Sequence, residues 1–512
     1  MSLNLILTRI LHWFSFILML VTLNYYMMKK THFLFTSLLF LFCFFSNIKL
    51  KAEDKQEKIV FVGASITHGA LIDHPEQNSY PAQLQKLLGE SYQIFNLGVS
   101  SCTMLRKGDY SYWDRPDFQK ALSLQPDIVF IDLGGNDSKL INRIRLNEFE
   151  QDCRDMVLKF RELPSHPRVI LLLPVVSFVQ DTTGIWDPVI VNSVIPHTQQ
   201  VAYEQGVEVI NLHSLLINHP ELFPDKIHPN KEGATLTAKK IYKYLVQQTD
   251  TSFDVFKKLP ASSSISSFYG FQCAGFTFEG RDCKVVKPKH AAKGHPWVWR
   301  ARFWGHEPQA DIALLESGFH VVYCDVAEMF GNKKSVTIWN HFYSLLHHAG
   351  LSQKAVLEGM SRGATYALNW AAENPGNVSC VYIDNPVLDL KSWPAGLGRQ
   401  PVSKDEFAMF KADFNLKTAE DIANFKGSPM DKVEKISKGK YPVLIVCADA
   451  DSALPPEENT LLFEKKMKTL NGNVTVIHKP GFDHHPHSFP NPAPIVDFIL
   501  RSTSYDIPAL QK

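Results

Sequence analysis

From Lys58 to about Gln248, short apolar and β-branched runs alternate with longer stretches whose apolar residues recur at helical spacing. The runs are KIVFVG, YQIFNLGV, PDIVFIDLG, RVILLLPV and VEVINLH, with helices predicted from Tyr80, Asn147 and Glu232. Near-continuous apolar strands separated by helices predict right-handed crossovers and a parallel sheet covered on both faces. Between Gln247 and Ser267 neither period is present, and LPASSSISS reads as linker. The pattern then restarts: a hairpin-like stretch GFQCAGFTFEGRDCKVVKP, then HVVYCDV, AVLEGMS, VSCVYIDNP, YPVLIVCADAD and NVTVIHKPG, interleaved with helices and closed by a helix from Ala493. The expected organisation is two three-layer α/β/α domains at 56–248 and 267–505, joined by a linker at 249–266. No internal repeat relates them.

The first 52 residues break this pattern. They hold no Asp or Glu and five basic residues. From Met28, a basic start, an apolar run and a small residue at Ala52 form the pattern of a secretory signal peptide. Met28 is the expected true start, with residues 1–27 an over-extended reading frame; the rival is a membrane anchor, since two apolar stretches can form a short hairpin in a bilayer. The expectation is a periplasmic or secreted protein with no stable membrane anchor after cleavage.

Composition narrows the class. At 45% hydrophobic and 21% charged, the 512 residues exclude a disordered or collagen-like chain, and the length implies two or three domains. The remaining 460 positions carry 48 basic and 52 acidic residues, no basic field of the kind nucleic acid requires. There is no P-loop, no GxGxxG and no CxxC pair, so no cofactor, metal or nucleic-acid partner is expected. Seven cysteines remain beyond Cys43; Cys273 and Cys283 bracket a predicted hairpin and could bridge under oxidising conditions.

Candidate chemistry gathers at strand ends. Gly63-Ala64-Ser65 follows the first strand, Asn96-Leu97-Gly98 the second, Gly134-Gly135-Asn136 the third, and Asp225-Lys226-Ile227-His228 lies near the last. Acyl transfer needs a hydroxyl nucleophile, a His base, an acid to orient it and donors for an oxyanion. Ser65, His228 and Asp225 supply the first three, and the N–H groups of Ser65 and Gly98 with the Asn136 amide supply the last. Singly, each block is more simply a cap or a turn; four in register after successive sheet elements are not.

These four blocks resemble the SGNH, or GDSL-type, hydrolase family, which implies a flavodoxin-like parallel sheet and the triad just named. Ala64 stands where the family often has Asp, at a position outside the triad. In the second half, Gly359-Met360-Ser361-Arg362-Gly363 follows a predicted strand and precedes a helix, the setting of a nucleophile elbow. With Asp451 after YPVLIVCADAD and a His-rich turn at 484–487, the order Ser, Asp, His resembles the α/β-hydrolases. That resemblance implies Ser361 as nucleophile, Asp451 as acid and His484 as base, with oxyanion donors at Arg362 and near Trp297. Asp449 competes with Asp451, and His485 and His487 with His484; the three histidines could instead hold a metal, ranked below triad duty.

The stretch Trp297-Val298-Trp299-Arg300-Ala301-Arg302-Phe303-Trp304 is the densest aromatic-cationic run. It reads as a substrate-binding wall through Trp299, Arg300 and Arg302, or as a packed shell beside the nucleophile. Tyr110 and Trp113 invite the same suggestion. The expected function is an exported bifunctional carboxylic-ester hydrolase acting on an esterified carbohydrate. Alternatives are one silent, carbohydrate-binding domain, or a lipid or thioester substrate.

Overall fold

The computed structural model describes residues 56–261 and 264–503, together with positions 15, 16, 18–20, 22, 25 and 27. Most of the expected signal segment therefore lies outside the described residues. Its eight described positions are helical, and among the described residues no helix is long and apolar enough to cross a membrane.

The first sheet comprises β1 (Glu57–Gly63), β2 (Tyr92–Gly98), β3 (Ile128–Asp132), β4 (Arg168–Leu173) and β5 (Glu208–Asn211), all parallel, in the order β2-β1-β3-β4-β5. This is a doubly wound order, with a switch point between β1 and β3. Because successive side chains point to opposite faces, each apolar run feeds two cores. Ile59, Phe61, Phe130 and Leu172 pack on one side, with Phe61 stacked on Phe130 at 4.6 Å; Val60, Val62, Val129 and Leu171 pack on the other.

Beyond it come β6 (Thr249–Asp250), β7 (Ser264–Phe268), β8 (Phe271–Phe278), β9 (Arg281–Lys287), β10 (Ala291–Ala292), β11 (Trp297–Arg300), β12 (His320–Cys324), β13 (Ala355–Met360), β14 (Val378–Asp384), β15 (Val443–Ala448) and β16 (Val474–Lys479). β6 and β10 form a separate antiparallel pair. The others build a nine-stranded sheet, β16-β15-β14-β13-β11-β12-β9-β8-β7, antiparallel at the β7–β9 end and parallel from β12 to β16.

Two expectations change. Residues 249–266 are not an unstructured tether: they contain β6, a short helical turn at Val255–Lys258 and the start of β7. Glu57–Lys512 forms one compact unit, because Phe268, Phe271, Val286, Ile312, Leu315 and Val321 of the second half complete the core on one face of the first sheet. The Cys273–Cys283 bridge is also absent. The hairpin register sets Cys273 opposite Val286, and Cys283 opposite Phe276 and, on the other side, Cys324.

Candidate active sites

The first constellation sits at the carboxyl edge of the five-stranded sheet. β1 ends at Gly63, the Ala64 N–H donates to Asp132 O at 3.3 Å, and Ser65 opens the short helix α1 (Ser65–His68). Ser65 is 7% exposed. Asp225 Oδ1 accepts the backbone N–H groups of Ile227 (3.0 Å) and His228 (2.7 Å), folding 225–228 into a tight turn. That turn aims the ring: Nδ1 faces Asp225 Oδ2 at 2.6 Å and Nε2 faces Ser65 Oγ at 2.9 Å. With the proton on Nδ1, Nε2 accepts from the serine hydroxyl, the arrangement a general base needs. Burial acts to raise the Asp225 carboxyl, but the hydrogen bonds from the His228 backbone and ring outweigh it and hold the group below the ordinary carboxylate range.

A cavity of about 40 Å³ opens beside Ser65, lined in part by Gly135, Asn136, Val176 and Ile185. Asn136 reaches it while its amide donates to Cys102 O at 3.1 Å. Behind Asn136, Asp137 accepts the N–H groups of Met104 (3.0 Å) and Leu105 (2.8 Å); burial pushes its carboxyl up to about 7. Asp132, which accepts from Thr67 and Tyr80, is pushed up to about 6 by burial. Neither residue stood out in the sequence; an Asp directly after Asn136 and another ending β3 were the available signals.

Gly98 departs from its expected role. Its N–H donates to Asn96 Oδ1 at 3.0 Å instead of facing the cavity. What the position requires is the lack of a side chain: a Cβ there would lie 2.3 Å from His68 N, so the glycine lets β2 pass directly under the turn that carries Ser65.

The second constellation lies at the carboxyl edge of the nine-stranded sheet. β13 turns into helix α2 (Gly363–Glu373) through Ser361, held at φ +49°, a left-handed conformation that stores strain and presents the hydroxyl. Gly359 permits the turn, since a Cβ there would come within 2.7 Å of the Gly363 and Ala364 backbone. His484 Nε2 lies 3.1 Å from Ser361 Oγ, and Nδ1 lies 2.8 Å from Asp451 Oδ2. Asp451 is buried and its other oxygen accepts from Ala453 and Leu454 N–H. The competitors are elsewhere: Asp449 pairs with His478 at 2.6 Å, and His487 with the buried Asp384 at 3.0 Å. The Arg362 side chain is buried, pairs with Glu406 and lies over the Phe330 ring; burial lowers its guanidinium to about 10.

Residues 61–236 match the GDSL-like Lipase/Acylhydrolase family. A curated relative, the acetylxylan esterase of Xylanibacter ruminicola, is 37% identical over 202 residues, covering 36% of this chain and 42% of the relative. The match thus spans less than half of that relative's length. Among solved structures, similarity extends to Est24, a carbohydrate acetylesterase from Sinorhizobium meliloti, at 17% identity and TM-score 0.31, covering 37% of this chain and 98% of that one. It extends also to an S-formylglutathione hydrolase from Agrobacterium tumefaciens, at 16% identity and TM-score 0.34, covering 49% of this chain and all of the other.

The aromatic-cationic stretch requires the largest correction. Trp297-Val298-Trp299-Arg300 is β11 itself, a fully buried strand. Trp299 stacks on Trp339 at 4.3 Å, and the Trp297 indole donates to Ser352 O at 2.8 Å. Neither tryptophan can meet a substrate or an oxyanion. Arg300, 1% exposed, donates to Asp311 (2.5 Å) and Glu358 (2.9 Å) in the core. Burial raises both carboxyls, repulsion from Asp311 adds to the rise at Glu358, and the pair shares the one guanidinium. The segment bordering the elbow is instead the one after β11: Arg302 N lies 3.7 Å from where a Gly363 Cβ would stand. The Arg302 side chain is half-buried and donates to Ala327 O at 2.7 Å. In the first half, Trp113 donates to Met104 O and lies under Arg106, while Tyr110 lies under Arg115.

Proposed function

We propose that the protein is a serine carboxylic-ester hydrolase that removes acetyl groups from an acetylated carbohydrate. The observation that carries this reading is the unbroken chain Ser65–His228–Asp225, opening onto a cavity of about 40 Å³. A cavity needs roughly 10–15 Å³ to hold one water, so this one accepts about three water-sized atoms. That is room for an acetyl group beside Ser65. The family match over 61–236 and the acetylxylan esterase relative support the same substrate class.

In this mechanism Ser65 Oγ attacks the ester carbonyl as His228 Nε2 takes its proton, and Asp225 stabilises the imidazolium that forms. The oxyanion gathers on the Ser65 N–H and the Asn136 amide. The proton on His228 passes to the departing sugar oxygen, leaving acetyl-Ser65. Water, deprotonated by the same ring, then releases acetate.

The second half is read as an α/β-hydrolase domain whose Ser361, His484 and Asp451 act in the same way, making the chain bifunctional; the strand order and the strained Ser361 support this. The proposal includes export with removal of residues 1–52. The test is turnover of p-nitrophenyl acetate and of an acetylated xylan by the full chain, Ser65→Ala, Ser361→Ala and the double variant. Each single variant should lose its share of activity and the double variant all of it. Full activity in the double variant would defeat the mechanism. Mass spectrometry of exported protein should find an N-terminus near Glu53; a retained Met1 would defeat the export reading.

A further inference from the structure

The loop after β11 and the loop after β16 meet at the rim of the Ser361 site, and each brings donors that the triad does not use. His306 and Glu307 come from the first and His485 from the second, with their donor atoms all within 4.8 Å of one another. His306 Nε2 and Glu307 Oε2 are 3.7 Å apart, and the His306 and His485 ring centroids 5.8 Å. We propose that these three side chains form a binding site for a divalent transition-metal ion of the zinc type. Bonds of about 2.0–2.2 Å to a tetrahedral ion place its donors roughly 3.4 Å apart. Closure by up to about 1.4 Å is needed, within reach of side-chain rotation because both imidazoles are exposed.

The backbones beneath these donors are fixed. The buried Arg300 donates to the carbonyls of Phe303 and His306, which pins the first loop to the core. Glu307 Oε2 accepts the His487 N–H at 2.5 Å, and the His487 ring is held by Asp384, which ties the second loop to the first. Two imidazoles and a carboxylate suit zinc better than magnesium or calcium, and three protein donors leave a fourth position for water. Two other groupings are less suited. His484 is engaged by Asp451 and Ser361, and His487 by Asp384; at Cys447–Asp449–His478, the Asp and His are already paired.

The His484 ring lies 5.0 Å, centroid to centroid, from His485. A dication bound there opposes the positive charge that His484 must take up when Ser361 is deprotonated. Occupancy therefore inhibits turnover at Ser361 and leaves Ser65 unaffected, a consequence that rests on the proposed role of Ser361.

The test is titration of the tag-free full chain with Co²⁺, followed by its visible absorption, with Zn²⁺ as competitor. One equivalent should bind, with affinity lowered at least tenfold in His306→Gln, Glu307→Gln and His485→Gln and within twofold of the parent in His484→Gln. Glu307→Gln keeps the acceptor for His487 and so separates lost ligation from lost structure. No stoichiometric binding, equal loss in His484→Gln, or loss only in His478→Gln overturns the site. In Ser65→Ala protein, Zn²⁺ should suppress the remaining acetate-ester turnover. If Co²⁺ binds as expected but that variant has no turnover to suppress, the metal site stands and the role of Ser361 falls.

Discussion

Asp225 and Asp451 orient their histidines from opposite surroundings. Asp225 is about one-third exposed, three residues before its partner, and its turn does the aiming; Asp451 is buried and held by two backbone donors far from His484 in sequence. Asp225→Asn and Asp451→Asn each leave the ring free to take the wrong tautomer. Each should lower kcat at its own site by about 10³–10⁴ with KM little changed, measured in the background of the other serine's alanine variant. Both aspartates were legible because a short spacing to His228 and a strand end followed by a Pro-Pro turn are local features. Gly98 was legible as important but not for its reason. The close approach of His68 belongs to tertiary structure, and Gly98→Ala should cost more than about 2 kcal/mol of stability, read by denaturant unfolding.

The strand β11 shows where a sequence reading misleads. Two tryptophans beside two arginines look like a recognition surface, since arginine is rarely buried without partners. Its partners Asp311 and Glu358 lie on other elements, so nothing local announced them. Arg300→Met leaves two raised carboxyls without their cation and should destabilise by about 3–5 kcal/mol, with KM at either site unchanged. The loop at 102–105 gives a pH test. Asp137 titrates near 7 when folded and near 3.8 when unfolded, so its contribution is fully present below pH 4 and is lost as pH rises through 7. The stability difference between parent and Asp137→Asn should fall by on the order of 4 kcal/mol from pH 4 to pH 8, in urea titrations across that range. A flat difference would show that Asp137 ionises freely in the fold.

The strand and helix runs of both halves were readable because each apolar period is local; the way the halves join was not. The missed contacts are apolar side chains of β7, β8, β9, β12 and of a helix spanning Gln309–Glu316 against the first sheet, at positions indistinguishable in sequence from internal core. Glu316 adds a partly buried ion pair to Lys240 at 2.9 Å and accepts the Asn211 N–H at 2.6 Å. Calorimetry of the full chain should therefore give one cooperative transition for residues 57–503 rather than two, and a fragment of 57–248 should be insoluble or unfolded, which circular dichroism and sedimentation would read.

That shared core also decides what mutation can remove from this protein. A chain that lost Ser361 or His484 would lose the proposed second triad, yet it could not discard the sheet that carries them without exposing the face of the other. Removing the second half would therefore expose the apolar face that its side chains cover, whatever its turnover. The converse holds for protein engineering: exchanging either half for a homologue means redesigning Phe268, Phe271, Val286, Ile312, Leu315 and Val321 together, because they are the core of one half written in the sequence of the other.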